Sequence, residues 1–214
     1  LMSDLVGEFP ELQGVMGGYF AQEQGFDEEI CLAISEHYLP NGTDSRVPNK
    51  PYSIGLSLSD KIDSLVGFFG INLKPTSSKD PYALRRMTIS LIRLILENKK
   101  KIKLRDLINY SINLYKEQNY SFDTKLINDE LGEFIVERLK NYMKENNIRS
   151  DIIECSINSH GIDDLQTIYN KSSNLNKNIN KDFGVDVIAI YKRSSNILNS
   201  EIKSNPEILG SADP

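Results

Sequence analysis

The feature that most constrains the fold is the spacing of the apolar residues, which recurs at intervals of three and four along nearly the whole chain. It is clearest at Leu58, Ile62, Leu65, Val66 and Phe69, which would all lie on one face of a helix. No pair of alternating apolar and polar segments flanks an Asn-Gly or Asp-Gly turn, as in a β-hairpin. The sequence therefore predicts an all-α fold.

Proline, glycine and capping residues locate the ends of the predicted helices. Pro10 is expected to open a helix that continues to Gly25, because proline suits the first helical turn. Asp80 and Pro81 predict another helix start, with Asp80 as the N-cap. Residues 41–53 are expected to form an irregular loop, and residues 170–180 either a turn or a weak helix. A short first helix is predicted to end near residue 9. The other predicted helices cover residues 27–38, 55–70, 104–118, 123–145, 150–156, 162–169 and 181–198.

The helix that begins at Pro81 is expected to have two distinct faces. Its apolar face would point into the core. Its polar face, which includes Arg86 and Arg93, would point into solvent. The predicted core residues are Leu84, Met87, Leu91 and Leu94, and the predicted outward residues are Arg86, Ser90, Arg93 and Glu97.

Cysteine usage and hydropathy restrict the class of protein. Cys31 and Cys155 are far apart and form no Cys-x-x-Cys unit, so a secreted disulfide framework is not expected and a reducing cytoplasm is the expected location. No apolar run approaches the roughly 20 residues that a membrane span needs. We therefore expect no membrane partner.

Charge is distributed unevenly along the chain. Residues 74–105 contain ten basic and two acidic residues, whereas the whole chain has a net charge of -5. This basic segment, as we call residues 74–105, therefore lies within an otherwise acidic protein. Such a segment suits binding of phosphates, although solvated helix faces and a lysine-rich turn would produce the same composition.

Five stretches, in order, resemble the beta subunit of the two-subunit bacterial glycyl-tRNA synthetase. They are residues 6–17 (VGEFPELQGVMG), 36–40 (EHYLP), 59–69 (SDKIDSLVGFF), 74–86 (KPTSSKDPYALRR) and 192–198 (KRSSNIL). Four of them lie within the first 86 residues in the family's order, which makes coincidence a poor explanation. Residues 104–180 match the family only in their helical pattern.

The resemblance implies an HD-like helical domain at residues 1–145 and additional helices at 146–198, while the polar composition beyond residue 199 predicts a frayed tail at 199–214. Because the family's preceding Lys-x-Asp element and its other domains are missing, we expect a middle piece of a longer subunit. The alpha subunit would bind glycine, ATP and Mg, and the beta subunit would bind tRNA-Gly. We therefore expect this chain to contribute tRNA binding and subunit assembly, with no catalytic residue and no cofactor of its own.

The resemblance also assigns residues. The motif residues expected to be structural are Phe9, Pro10, Glu11, Gln13, Gly14, His37, Asp60, Lys61, Asp63, Asp80, Pro81, Lys192, Arg193 and Asn196. The predicted tRNA contacts are Lys74, Lys79, Arg85 and Arg86. They surround a helix start whose free amides also favour phosphate. The alternative is that Arg85 or Arg86 pairs with Asp60 or Asp63 inside the fold.

An active HD-type phosphohydrolase needs an adjacent His-Asp pair with a further His and Asp as metal ligands. Here His37 is followed by Tyr38 and His160 by Gly161, so the pair is missing. We expect no metal site. A divergent HD-type metal phosphohydrolase and a helical scaffold that binds only protein are the alternative functions.

Other chemical patterns have structural explanations. Asp60 and Asp63 are one helical turn apart, as in a carboxylate pair, but Lys61 between them favours bonding to loop backbone or to an arginine such as Arg85. Cys31 is expected to pack in the core, and His37 to cap a helix or form a core hydrogen bond. The three glycines at positions 14, 17 and 18 lack the Lys and Ser or Thr of a P-loop, so we expect them to allow close helix packing.

Overall fold

The computed structural model describes residues 5–42, 44–159 and 163–204, and this part of the chain contains helices and connecting segments without any strand. The prediction of an all-α fold is confirmed. The helices are α1 (Leu5–Glu8), a 3-10 helix (Pro10–Leu12), α2 (Val15–Glu23), α3 (Glu28–Glu36), α4 (Pro51–Gly70), α5 (Leu84–Glu97), α6 (Leu104–Glu117), α7 (Thr124–Glu145), α8 (Ser150–Asn158), α9 (Leu165–Asn178) and α10 (Asp182–Ser204).

Helix α4 lies at the centre of the fold, where it contacts α3, α5, α6 and α7. Its Leu65 and Val66 are completely buried, as are Leu91 of α5, Ile112 of α6 and Leu139 of α7. Helix α5 also packs on α9, and α8 contacts both α7 and α9. Among the described residues, no helix combines the length and the apolar character needed to cross a membrane.

The predicted helix over residues 10–25 is wrong in its first part. Pro10 opens only the 3-10 helix, and α2 begins separately at Val15. Gly14 lies between them with a φ of 84°, a left-handed conformation in which the helix cannot continue. A Cβ atom on Gly14 would lie 3.1 Å from the Ser35 carbonyl oxygen, so glycine also permits the close approach of α3.

The predicted N-cap at Asp80 is wrong, because the N-cap residue of α5 is Ala83, and Pro81 does not open the helix. Helix α5 begins three residues later, at Leu84, because Ala83 adopts a left-handed conformation with a φ of 54°. The two Asp80 carboxylate oxygens accept hydrogen bonds from the backbone amides of Leu84 and Arg85, at 2.8 and 2.9 Å. The carboxylate thus satisfies two amides of the first turn from four residues upstream.

The predicted polar stripe of α5 is wrong at Ser90 and Arg93, which are buried. The Arg93 guanidinium donates to Glu97 Oε1 at 2.7 Å and to the Gly42 carbonyl oxygen at 2.6 Å. All seven residues from Ser90 to Leu96 are buried, because α4, α7 and α9 contact α5 from several directions. Periodicity alone does not show how many sides of a helix are covered.

Smaller differences concern helix ends. Helix α4 begins at Pro51, so the preceding loop is shorter than predicted. Helix α9 continues to Asn178, which makes most of residues 170–180 helical. Helix α10 runs to Ser204, beyond the predicted end at residue 198, and residues 205–214 lie outside the described part.

Candidate functional site

Three of the family-like stretches meet at one cavity of about 220 Å³. It lies between the end of α3, the middle of α4 and the start of α5. Stretches that are separated in sequence by tens of residues therefore share one place in the fold. Its lining includes Tyr38, Pro40, Asp60, Lys61, Tyr82 and Arg86.

Lys61 is buried beside this cavity and holds the chain that leaves α3. Its Nζ donates to the carbonyl oxygens of His37, Tyr38 and Leu39 at 3.2 to 3.4 Å, and to Ser57 Oγ at 2.9 Å. Burial lowers the pKa of Lys61 to about 8, although neighbouring Asp60 raises it in part. The lysine thus donates to carbonyl groups at a helix end, where a positive charge is favourable.

His37 forms a core hydrogen bond at the end of α3, as one of the two predictions stated. It is 2% exposed, and its Nδ1 donates to the Ile34 carbonyl oxygen at 2.6 Å. The neighbouring Glu36 is also buried and accepts from Arg46 Nη1 at 2.5 Å. Cys31 is buried in the same helix, which confirms its predicted packing role.

Asp63 has a structural bond, but not to the predicted partners. It accepts from Ser111 Oγ at 3.4 Å and from Tyr115 Oη at 3.3 Å, both on α6. Burial, with a smaller effect of the Asp63 charge, raises the pKa of Tyr115 to about 12. The predicted bond to loop backbone or to Arg85 is therefore wrong, because Asp63 points toward α6.

A second cavity, of about 530 Å³, lies between α3, α4 and α6. His37, Asp60 and Asp63 line it together with mostly aliphatic side chains, including Ile62 and Leu114. Within residues 5–42, 44–159 and 163–204, no group of three or more His, Cys, Asp or Glu side chains is arranged to hold a metal ion. His160 lies outside these residues. Where the structure describes the chain, it supplies no ligand set for metal-dependent hydrolysis.

The glycines of the first stretch, and Gly18 directly after it, permit close packing of α2 on α3. A Cβ atom on Gly18 would lie 1.9 Å from Ser35 Oγ, and one on Gly17 would lie 3.0 Å from Ile34. This confirms the packing prediction for these glycines. The other residues of that stretch with an expected structural role, Phe9, Pro10, Glu11 and Gln13, are exposed.

Two of the four predicted tRNA contacts have internal partners. Lys74 forms an ion pair with Glu130 of α7. Arg85 donates to the Thr76 carbonyl oxygen and lies 3.9 Å from the Asp80 carboxylate, so it holds the loop before α5. Neither arginine forms an ion pair with Asp60 or Asp63 in the described part, which contradicts the alternative.

The other two predicted contacts, Lys79 and Arg86, are exposed. We call them the N-terminal cations of α5. No ion pair involves either of them among the residues that the structure describes. They therefore present positive charge that no ion pair of the described part neutralises, and Arg86 lines the cavity where the stretches meet.

The basic segment does not form one continuous surface. Arg93, at its middle, is buried in internal bonds, and the remaining cations lie at or beyond the end of α5. A helix of 14 residues is about 21 Å long. The segment therefore divides into the N-terminal cations and a second group at the opposite end. The second group consists of Lys99, Lys100, Lys101, Lys103 and Arg105, all exposed.

Helix α10 carries the last family-like stretch and an uncovered apolar face. Its spacing of three and four residues places several large apolar side chains on one face, and these are 47% to 77% exposed. Lys192 and Asn196 lie on the opposite face, and Arg193 lies to its side. We call the apolar face the α10 stripe. It consists of Phe183, Val187, Ile190, Tyr191, Ile197 and Leu198.

Sequence reasoning did not single out the α10 stripe or the second basic group. The spacing of the apolar residues was visible in the sequence, but their exposure depends on whether another helix covers them. The five cations were counted in the basic segment without being separated from Arg93. The signal that would have separated them is their concentration in the connection between two helices.

Comparison with known proteins agrees with the motifs. A family model described as glycyl-tRNA synthetase beta subunit matches residues 1–158. The glycine–tRNA ligase beta subunit of Rickettsia canadensis is 43% identical over 201 residues, which cover 94% of this chain and 29% of that protein. Those of Cereibacter sphaeroides and Phenylobacterium zucineum are 39% and 37% identical over 100% and 96% of this chain. The chain covers 31% and 28% of these two relatives, so it spans less than a third of their length. Since the match covers most of its residues, the chain belongs to the glycyl-tRNA synthetase beta subunit family.

Proposed function

We propose that this chain contributes tRNA binding and subunit assembly to glycine–tRNA ligase, which attaches glycine to tRNA-Gly in the cytoplasm. In this proposal the alpha subunit binds glycine, ATP and Mg, and this chain carries no catalytic residue. The family membership supports the proposal, because the relatives are named as beta subunits of this ligase. The described residues also present surfaces suited to both tasks.

The observation that carries the tRNA-binding part is the exposure of Lys79 and Arg86, the second of which lines the cavity where the three family-like stretches meet. Lysine and arginine side chains bind backbone phosphates without reading base sequence. Lys74 and Arg85 support this surface indirectly, since their own bonds hold the loop and the start of α5 in place. In this arrangement, the four predicted residues divide into two contacting cations and two positioning residues.

The assembly part is supported by the α10 stripe. Large exposed apolar patches on soluble proteins are sites of interaction, because their burial against a partner is favourable. The stripe follows helical spacing over 16 residues of α10, so another helix or a flat apolar surface would fit it. We propose that it packs against the alpha subunit in the assembled ligase.

Replacement of the N-terminal cations tests tRNA binding. Lys79→Ala with Arg86→Ala should weaken binding of tRNA-Gly and reduce the magnitude of the negative slope of log affinity against log salt by roughly 1.4 to 1.8, since each lost phosphate contact contributes about 0.7 to 0.9. The matched control is Lys125→Ala with Lys144→Ala, which removes two exposed charges elsewhere. A wild-type chain with no affinity for tRNA, or equal slopes for all three proteins, contradicts this part. Absence of tRNA binding with intact subunit assembly would favour the protein scaffold.

Helix α10 offers a matched pair for the assembly test. Val187→Asp places a charge on the stripe, whereas Val185→Asp places the same charge on the opposite face of the same helix, at a residue of similar exposure. We expect Val187→Asp to weaken association with the alpha subunit at least about tenfold in sedimentation experiments, and Val185→Asp to leave it unchanged. Equal effects of the two substitutions would show that the stripe is not the contact surface.

A further inference from the structure

In the part of the chain that the structure describes, five helices end with the same pair of backbone hydrogen bonds. In each, the amide two residues beyond the last helical residue bonds back three positions, and the next amide bonds back five positions. This pattern requires a residue in the left-handed conformation, for which glycine and asparagine are suited. The left-handed residues are Gly25 after α2, Asn72 after α4, Lys99 after α5, Asn119 after α6 and Asn147 after α7.

Helix α5 departs from the other four. After α2, α4, α6 and α7, glycine or asparagine is followed by an apolar residue: Phe26, Leu73, Tyr120 or Ile148. After α5, both positions are lysines, Lys99 and Lys100. A left-handed residue with a Cβ atom costs about 1 to 2 kcal/mol, and the apolar residue that often stabilises such an ending is missing. A positive charge at the end of a helix is favourable by about 0.3 to 1 kcal/mol, which offsets only part of the cost of the left-handed lysine and the missing apolar contact.

Apart from an electrostatic interaction between Lys101 and Asp164, the surroundings leave this positive charge unneutralised. Residues 98–105 contain five cations and no acidic residue, and none of the five is in an ion pair within the described part. The neighbouring carboxylates have other partners: Glu97 accepts from Arg93, Asp163 from the Arg105 amide, and Asp164 from the Thr167 amide and hydroxyl. The remaining nearby acidic residue, Asp106, is exposed to solvent.

Asp163 also restricts how an anion would bind here. It accepts from the Leu104 amide through its carbonyl oxygen and from the Arg105 amide through its carboxylate, at 2.9 and 2.8 Å. The first amides of α6 are therefore already bonded. A ligand at this connection would meet flexible ammonium groups rather than a fixed amide pocket, which suits a phosphodiester backbone better than a small anion.

We propose that the connection between α5 and α6 is a second RNA-backbone contact, carried by Lys99, Lys100 and Lys103. It rests on the proposed function, since the RNA is the tRNA whose first contact is at Lys79 and Arg86. The two contacts lie about 20 Å apart at opposite ends of α5, so they meet separate segments of the RNA backbone. Both contacts read charge and shape rather than base sequence.

The test compares triple variants of the full 214-residue chain. Lys99→Gln, Lys100→Gln and Lys103→Gln remove the proposed contact. The matched control, Lys125→Gln, Lys144→Gln and Lys177→Gln, removes three exposed lysines elsewhere and produces the same net charge. Affinity for a tRNA-Gly transcript is measured at several salt concentrations, and far-ultraviolet circular dichroism verifies folding.

We expect the contact variant to reduce the magnitude of the negative slope of log affinity against log salt by about 2 to 3. We also expect it to weaken binding at least about tenfold at moderate salt. The control variant should keep the wild-type slope. Equal slopes for wild type, contact variant and control, with binding still sensitive to Lys79 and Arg86, would overturn this contact but leave the proposed function standing. Loss of alpha-subunit association with unchanged tRNA binding would identify an acidic protein surface as the partner instead. A wild-type chain that does not bind tRNA would overturn both.

Discussion

The substitution Lys61→Met tests how a buried ammonium group holds the end of α3. Methionine preserves most of the length of the side chain but removes the ammonium group, whose three N–H donors are shared among four acceptors, three of them backbone carbonyl oxygens. Loss of bonds from a charged donor costs roughly 1.5 to 3 kcal/mol, and relief from burying the charge offsets part of this. We expect the variant to be about 2 kcal/mol less stable than wild type at pH 7.

The pH dependence of this difference is the sharper measurement. The pKa of Lys61 is about 8 in the folded chain, against an ordinary value of 10.5. Between these values the unfolded chain binds the proton and the folded chain does not, so the stability of the wild type rises with pH. At about 1.4 kcal/mol per pH unit, the gain between pH 8 and pH 9.5 is about 2 kcal/mol. The methionine variant has no such gain.

Urea unfolding of both proteins from pH 7 to 9.5 measures this difference directly, since all other titrating groups are shared and cancel. Ending at pH 9.5 also avoids titration of tyrosine, because Tyr115 has a pKa raised to about 12 and would lower stability as the pH rises above its ordinary 10. Lys125→Met, at an exposed position, serves as the control and should show no change with pH. A constant difference between wild type and Lys61→Met across this range would refute the reasoning.

Three further substitutions are expected to change stability in defined directions. Gly18→Ala should lower the free energy of unfolding by about 2 to 3 kcal/mol in urea titration, because its Cβ would lie 1.9 Å from Ser35 Oγ and 2.9 Å from the Cys31 carbonyl oxygen; an unchanged midpoint would contradict the close packing of α2 on α3. Lys99→Gly should raise the free energy of unfolding by about 0.5 to 1 kcal/mol while weakening tRNA binding, and a stability loss would show that the lysine stabilises the helix end. Arg93→Ala should lower the free energy of unfolding by about 2 to 3 kcal/mol, because it removes buried hydrogen bonds, whereas Arg86→Ala should change thermal stability little. Equal effects would support the predicted polar stripe of α5, in which both arginines point outward.

Much of the fold follows from local sequence patterns. Helices α6 and α7 begin and end within a residue of their predicted limits, because Asp123 caps α7 and apolar spacing marks both helices. Helix starts were less predictable where the backbone adopts a left-handed conformation, as at Gly14 and Ala83. Such a residue interrupts a helix that proline and apolar spacing predict. Its conformation depends on the neighbouring helices.

In the candidate site, too, local sequence patterns identified residues, whereas tertiary contacts determined their bonding partners. The motifs identified the family and drew attention to Lys61 and Asp63, for which a structural role was predicted. Their partners were not predictable, since Lys61 bonds to carbonyl groups more than 20 positions away and Asp63 to a tyrosine 52 positions away. The residue types indicate which bonds are possible, and packing decides which of them form.

The sequence by itself determined the helical class, the family and the presence of an excess of positive charge at residues 74–105. These depend on spacing, motifs and composition, which do not require the chain to be folded. Only the tertiary structure decided that Arg93 is buried, that Lys74 and Arg85 have internal partners and that the remaining cations form two groups at opposite ends of α5. The physical reason is that exposure and charge neutralisation depend on which elements approach one another, and such contacts join residues that are distant in the sequence.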